Sequence, residues 1–152
     1  MTEVTIAPES PRAPEVARLI EALDAYQASL YPAESNHFLA IEALAAPDVR
    51  FFVARRAGEA LGCGGLRVDP SGYGEVKRMF VTPEARGLKL GARILARLEQ
   101  QARDERLACL RLETGIHQAA ALGLYRAFGF QDRGPFGDYA PDPLSVFMEK
   151  PL

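Results

Sequence analysis

The sequence is poor in the residues that staple, ligate or anchor a protein. Its 152 residues include two cysteines and two histidines and no long hydrophobic run. Cys63 and Cys109 lie far apart, each in an apolar, strand-like stretch. That spacing offers neither a disulfide framework nor a metal-ligand pair, so buried reduced thiols are expected. His37 and His117 have no partner at metal spacing either, which argues against a zinc site. The apolar runs fall far short of the roughly 20 residues that cross a bilayer. No stretch near the N-terminus has the basic, apolar and small-residue order of a signal peptide, so no membrane partner and a cytoplasmic location are expected. Nor is one sign of charge in excess, since 18 basic and 20 acidic residues leave a net charge of −2. Nucleic-acid binding relies on clustered Lys and Arg that release counterions, so nucleic acid is not expected as a partner.

What is present is the balance of an ordinary globule, 48% hydrophobic and 25% charged, with no repeat or interior linker. One domain spanning residues 1–152 is expected. A strand at 4–7 precedes a Pro-rich loop at 8–14, and Val16, Leu19, Ile20 and Leu23 then recur at helical spacing. Ser35 or Asn36 can cap a second helix carrying Phe38, Leu39, Ile41 and Leu44, which Pro47 stops. Strands follow at 49–55, 60–69 and 74–81, with turns at Gly58-Glu59 and Pro70-Ser71-Gly72. Leu90, Ile94, Leu98 and Ala102 make one stripe of an amphipathic helix over 88–105. Strands at 108–114, 130–132 and 145–149, a helix at 118–128 and a loop at 134–143 complete the chain. The strand–helix–strand unit around 88–105 demands a parallel pair through a right-handed crossover. The hairpins make the rest antiparallel, so an α/β domain on a mixed sheet is expected.

Between the third central strand and the long helix lies Arg86-Gly87-Leu88-Lys89-Leu90-Gly91-Ala92. Two glycines before a helix let backbone approach a ligand, and the free N–H groups of a first helical turn suit a phosphate. A tight strand-to-helix turn reads the same way, so this segment alone is weak evidence. The run from Gly74 through Arg86 and Gly87 resembles the central strand and pyrophosphate loop of the GNAT N-acetyltransferase superfamily. That pattern is Gln/Arg, two residues, Gly, any residue, Gly/Ala; Arg86 and Gly91 match its ends and Lys89 replaces its middle glycine. A second stretch, Gln118 to Phe130, resembles the later helix and strand of the same superfamily. Ala121, Leu124, Tyr125, Gly129 and Phe130 match, and Gln118 stands where Asn is usual. Gly129 also suits a helix C-cap at positive φ. Two motifs at compatible separation are far more specific than either one.

The resemblance implies a GNAT-like mixed, mostly antiparallel central sheet flanked by helices, with a parallel strand pair around the cofactor-binding helix. It implies acetyl-CoA as cosubstrate, no metal, and an amine acceptor. Acetyl transfer requires a deprotonated amine, a stabilised oxyanion and a protonated leaving thiolate. By resemblance, Glu75 is the candidate base and Tyr125 the candidate acid. Phe80 and Val81 would meet the pantetheine arm, and Arg86, Gly87, Leu88, Lys89, Gly91, Ala92 and Gln118 would hold the rest of the cofactor. Strict strand alternation puts Glu75, Lys77 and Met79 on one face and Val76, Arg78 and Phe80 on the other. The plainer reading of Glu75 is an ion pair with Lys77 or Arg78, and that of Tyr125 a half-buried helix tyrosine. Glu34 to His37, Leu112 to Gly115 and the Gly/Pro-rich loop after Gly134 together resemble one bacterial subgroup of small-molecule acetyltransferase-like proteins. His37, Arg78, Glu113, Asp138 and Tyr139 are then candidates for reading a zwitterionic or carboxylate-bearing amine. A small-molecule amine acceptor is the leading expectation. A protein lysine or N-terminus as acceptor, or an acyl-CoA sensor without turnover, are the rivals, and a homodimer is left open.

Overall fold

Alternating apolar stretches pair in sequence order to build the sheet's first half. Val4–Pro8 (β1), Val49–Arg56 (β2), Glu59–Val68 (β3) and Tyr73–Val81 (β4) are consecutive antiparallel neighbours. The computed structural model describes residues 3–32, 41–85 and 87–152. The β2–β3 turn is Ala57-Gly58, at φ 52° and 80°, the paired positive values that match strand twist in a two-residue hairpin. Glu59 already pairs with Arg56, so the expected Gly58-Glu59 turn is shifted by one residue. Cys109–Gly115 (β5) then joins β4 in parallel, and Ser145–Pro151 (β7) and Gln131–Arg133 (β6) close the order β1-β2-β3-β4-β5-β7-β6. The expected mixed sheet with one parallel pair is what forms.

Helices cover both faces. The long helix Leu90–Asp104 (α3) buries Leu90, Ile94, Leu95, Leu98 and Ala102 against Phe52, Leu66, Val76, Leu110 and Leu112. Each of the leucine and isoleucine side chains contributes roughly 1.5–3 kcal/mol on leaving water. Ala119–Ala127 (α4) adds Tyr125 to the same core. Pro14–Leu30 (α1) begins with proline at its first turn, where no N–H is needed, and packs Val16, Leu19 and Ile20 with Phe51, Val53 and Cys63 on the opposite face. Ile41–Leu44 (α2) is helical and ends before Pro47. The caps expected at Ser35 or Asn36, and Phe38 and Leu39, lie outside the described residues.

Two features of the sheet position the site. The first is a bulge in β4. Gly65 pairs with Lys77 and Cys63 with Phe80, so one residue of β3 stands opposite two of β4. Arg78 takes φ 52° there, and the Cys63 thiol donates to its carbonyl oxygen at 3.3 Å. An extra residue resets alternation. Glu75 and Lys77 share a face as expected, but Met79 joins Val76 on the α3 side, and Phe80 crosses to the α1 side. Arg78 pairs with Asp24 of α1, so it too lies on the face of Glu75 and Lys77. Strict alternation therefore fails beyond Lys77. The second feature is a split. β4 and β5 pair only over Tyr73–Cys109, Gly74–Leu110 and Glu75–Arg111; beyond that the strands part.

Candidate active site

The split between β4 and β5 holds two adjoining cavities. The larger, about 550 Å³, is lined by Met79, Phe80, Val81 and Gly91 on one side and by residues of α4, including Leu124 and Tyr125, on the other. The smaller, about 80 Å³, is lined by Leu23, Gln27 and Tyr31 of α1, Lys77 and Arg78 of β4, and Glu113, Thr114 and Gly115 of β5. Leu23, Met79, Gln118, Ala121 and Tyr125 belong to both linings. Tyr125 therefore sits where the two spaces meet.

Tyr125 is 6% exposed and its ring packs edge-on against Phe130 at 5.7 Å. Among the described residues nothing hydrogen-bonds its hydroxyl. Burial pushes its pKa well above the usual phenol range, so the group keeps its proton, the state a general acid needs. Gln118 accepts the Gly115 N–H at 3.0 Å and the Thr114 hydroxyl at 3.3 Å through Oε1, which ties the start of α4 to the end of β5.

Glu75 is 4% exposed and does not line either cavity. Its Oε2 accepts the Tyr139 hydroxyl at 2.6 Å and Lys77 Nζ at 3.2 Å, and its Oε1 accepts Arg67 Nη1 at 3.4 Å. Lys77 also donates to the Tyr139 oxygen at 2.9 Å. The loop after Gly134 makes this possible. Phe136 packs edge-on against Tyr73 and Phe147, which anchors the loop and presents Tyr139 to the strand. Burial, with the Glu75 carboxylate second, drives the Tyr139 hydroxyl far above its ordinary pKa. Arg78 Nε lies 3.1 Å from Asp24 Oδ1, close enough for charge pairing but without hydrogen-bond alignment. Burial lowers the Arg78 pKa while Asp24 works against that shift. Glu113 accepts the Ser145 hydroxyl at 2.8 Å.

The loop before α3 holds two residues at positive φ. Gly87 takes φ 94°. Lys89, where the resembled pattern has glycine, takes φ 57° as the N-cap of α3 and makes no side-chain cap. A non-glycine residue pays for that left-handed conformation. Its side chain is exposed. Leu88 instead turns into the α3-side core, and its N–H donates to Ala85 O at 3.3 Å. Among the described residues of this loop Gly91 alone lines the larger cavity; Ala92 is half-buried in the first turn. Asp138 is exposed and lines neither cavity, and Arg86 and His37 lie outside the described residues.

Sequence reasoning gave no role at the smaller cavity to Gln27, Asp24 or Lys77, and reached Tyr31 only through the segment 31–37, which the family resemblance sets beside the acceptor pocket. Gln27 and Tyr31 continue the apolar stripe of α1 past Leu23 at four-residue steps, and a polar or aromatic residue on such a stripe is a readable signal. Asp24 and Lys77 had none beyond their charge. Tyr31 stacks on His117 with centroids 5.4 Å apart and accepts the His117 N–H at 3.0 Å. A Cβ on Gly115 would stand 1.8 Å from the Tyr31 hydroxyl oxygen. Gly115→Ala should therefore cost about 1–3 kcal/mol through overpacking, read as a lowered melting temperature. An unchanged melting curve would show that Tyr31 is not wedged there.

Residues 16–130 match the sequence profile described as the acetyltransferase (GNAT) family. This chain belongs to the GNAT acetyltransferase family. It is 60% identical over 153 residues, 100% of both chains, to a protein of Azospirillum brasilense named IAA acetyltransferase. A Klebsiella pneumoniae structure described as an acyl-CoA N-acyltransferase superposes with a TM-score of 0.84 at 45% identity, covering 98% of this chain and 97% of that one. The PaiA N-acetyltransferase of Thermoplasma acidophilum, solved in complex with coenzyme A, shares the fold at 19% identity, with a TM-score of 0.74 and 99% of each chain covered. Among the described residues, no cluster of His, Cys, Asp and Glu could hold a metal ion, and no helix is long and apolar enough to cross a membrane.

Proposed function

We propose that this chain transfers the acetyl group of acetyl-CoA to the amine of a small molecule. The observation that carries this reading is the split sheet, whose larger cavity ends on Tyr125 and opens there into a smaller, charged one. The larger cavity suits the cosubstrate on two counts. Residues 76–81 of β4 have no ladder partner on the β5 side, and such backbone groups seek one; an amide-bearing pantetheine arm can pair with Phe80 and Val81. The first turn of α3 has N–H groups without intrahelical partners and no side-chain cap, a setting for pyrophosphate. Gly87, Leu88, Gly91 and Ala92 bring backbone to it, Arg86 and Lys89 bring charge, and Gln118 flanks the acyl end.

Acetyl-CoA supplies an acetyl group activated as a thioester. The chain's own residues handle the protons as the N–C bond forms and the C–S bond breaks. Tyr125 gives its hydroxyl proton to the departing sulfur. Glu75 is the final acceptor of the amine proton and acts at one remove: Tyr139, which lines neither cavity, passes its proton to Glu75 Oε2 as its oxygen takes one from a water that bridges to the acceptor. A raised Tyr139 pKa favours this role, since the hydroxyl conducts a proton without staying ionised. The smaller cavity receives the acceptor, and the name of the Azospirillum brasilense relative is in keeping with a small molecule there.

Acetyl-CoA should raise the melting temperature, because a ligand that binds only the folded state stabilises it, by about 2.7 kcal/mol at a hundred times Kd. A Cβ at Gly91 already stands 3.1 Å from Leu124, so Gly91→Glu adds crowding and negative charge at the phosphate end and should abolish the shift. A full shift in the variant would remove the cofactor from this loop. A screen of amines, with thiol release as the readout, tests the transfer itself.

A further inference from the structure

We infer that the acceptor carries a carboxylate as well as its amine, and that Lys77 is the residue that reads it. This inference rests on the small-molecule transfer reading above and names the substrate class. Lys77 lines the smaller cavity and is 9% exposed. A lysine so deeply placed needs its charge and donors answered. Its ammonium has three N–H donors. Glu75 Oε2 and the Tyr139 hydroxyl take two of them, and the third has no partner among the described residues. Held from two sides, the ammonium loses little freedom on meeting a ligand, which favours recognition over flexible pairing.

The β4–β5 register adds a second observation. Glu75 pairs with Arg111 in the last rung of the ladder. Had the ladder continued, Lys77 would stand opposite Glu113 two residues further on. The strands part instead, and both residues line the same small cavity with no ion pair between them. One wall of the cavity is thus cationic and the other anionic. Among the described residues of the lining, Lys77 and Arg78 carry positive charge and Glu113 negative, with Glu75 and Asp24 already partnering the two cations. A bare alkylamine would leave the third Lys77 donor unanswered in a site shielded from water. An amino acid answers both walls at once, its ammonium toward Glu113 and its carboxylate toward Lys77.

The test compares primary amines in matched sets: ω-amino acids of two to five carbons, their amides, and aminoalkylphosphonates of equal length. Wild-type kcat/KM for an acid should exceed that for its amide by roughly 10–100-fold, mainly through KM, as a charge-assisted contact to a buried group implies. Lys77→Met should bring the ratio within about threefold of one, while Lys77→Arg retains most of it. Tyr139→Phe, which keeps the charge but frees one side of the ammonium, should lower the ratio several-fold. The ratio is the readout, so a general loss of activity does not obscure it, and the wild-type ratio needs no variant to fold. A ratio near one in the wild type, or an unchanged ratio in Lys77→Met, overturns the inference. A phosphonate that outperforms the carboxylate of its length overturns the carboxylate assignment. Melting shifts with unreactive carboxylates and their amides, measured with CoA present, give a readout besides turnover. Carboxylate-specific shifts that vanish in Lys77→Met, in a protein that acetylates no amine, would uphold the anion site and sink the transfer reading.

Discussion

Tyr125→Phe should lower turnover roughly 10²–10⁴-fold, the range a positioned general acid supplies, while acetyl-CoA should still raise the melting temperature as it does for the wild type. The substitution keeps the ring that packs against Phe130 and removes only a hydroxyl that no described residue holds. Packing should therefore survive and proton delivery should not. Because burial raises the pKa of this hydroxyl, the wild type keeps it protonated across the neutral and mildly alkaline range. An alkaline fall in rate near pH 8–10, where an unperturbed phenol titrates at about 10, would have to come from another group. Turnover within a few-fold of wild type would make Tyr125 a packing residue and return the proton to solvent.

Glu75→Gln should lose most turnover near neutral pH, by roughly 10²-fold or more, with acetyl-CoA binding retained. Raising the pH should recover part of the loss, since an alkylamine with a pKa near ~10 then arrives deprotonated more often. The variant also faces Arg67 and Lys77 with a neutral amide, and removing one member of a buried ion set is destabilising. Stability alone thus decides nothing; the shape of the pH–rate profile does. A purely structural Glu75 gives a lower melting temperature, weaker binding and a profile of unchanged shape. A protein that binds acyl-CoA tightly, yet turns over no amine in either form, is a sensor.

Much of this molecule was legible before any coordinates, where local chemistry and fold agree. The stripe of Leu90, Ile94, Leu98 and Ala102 fixes α3 on the sheet, and Gly129 at φ 102° ends α4 as the motif required. What was not legible depends on contacts between distant segments. Nothing near Arg78 announces an extra residue in β4; the bulge exists because β3 and β4 keep register on both sides of it. For the same reason strand parity misplaced Met79, Arg78 and Phe80. Tyr139 is separated from Glu75 by 64 positions, and only the anchoring of Phe136 among Tyr73 and Phe147 reveals the pairing. Lys77 looked like a partner for Glu75, which it is, and its place in the cavity follows from the parting of β4 and β5, which no local pattern encodes.

That parting also bears on solubility. Open strand edges are adhesive, because unpaired backbone groups template pairing with another chain. Here the outer rims are blunted: β1 is five residues long and ends in Pro8, and β6 has three residues ending in Arg133. The longer free edges, residues 76–81 and 112–115, face each other inside the cleft. A single extended arm can thread between them, but another protein's sheet cannot. The same inward placement thus keeps these edges from templating another chain.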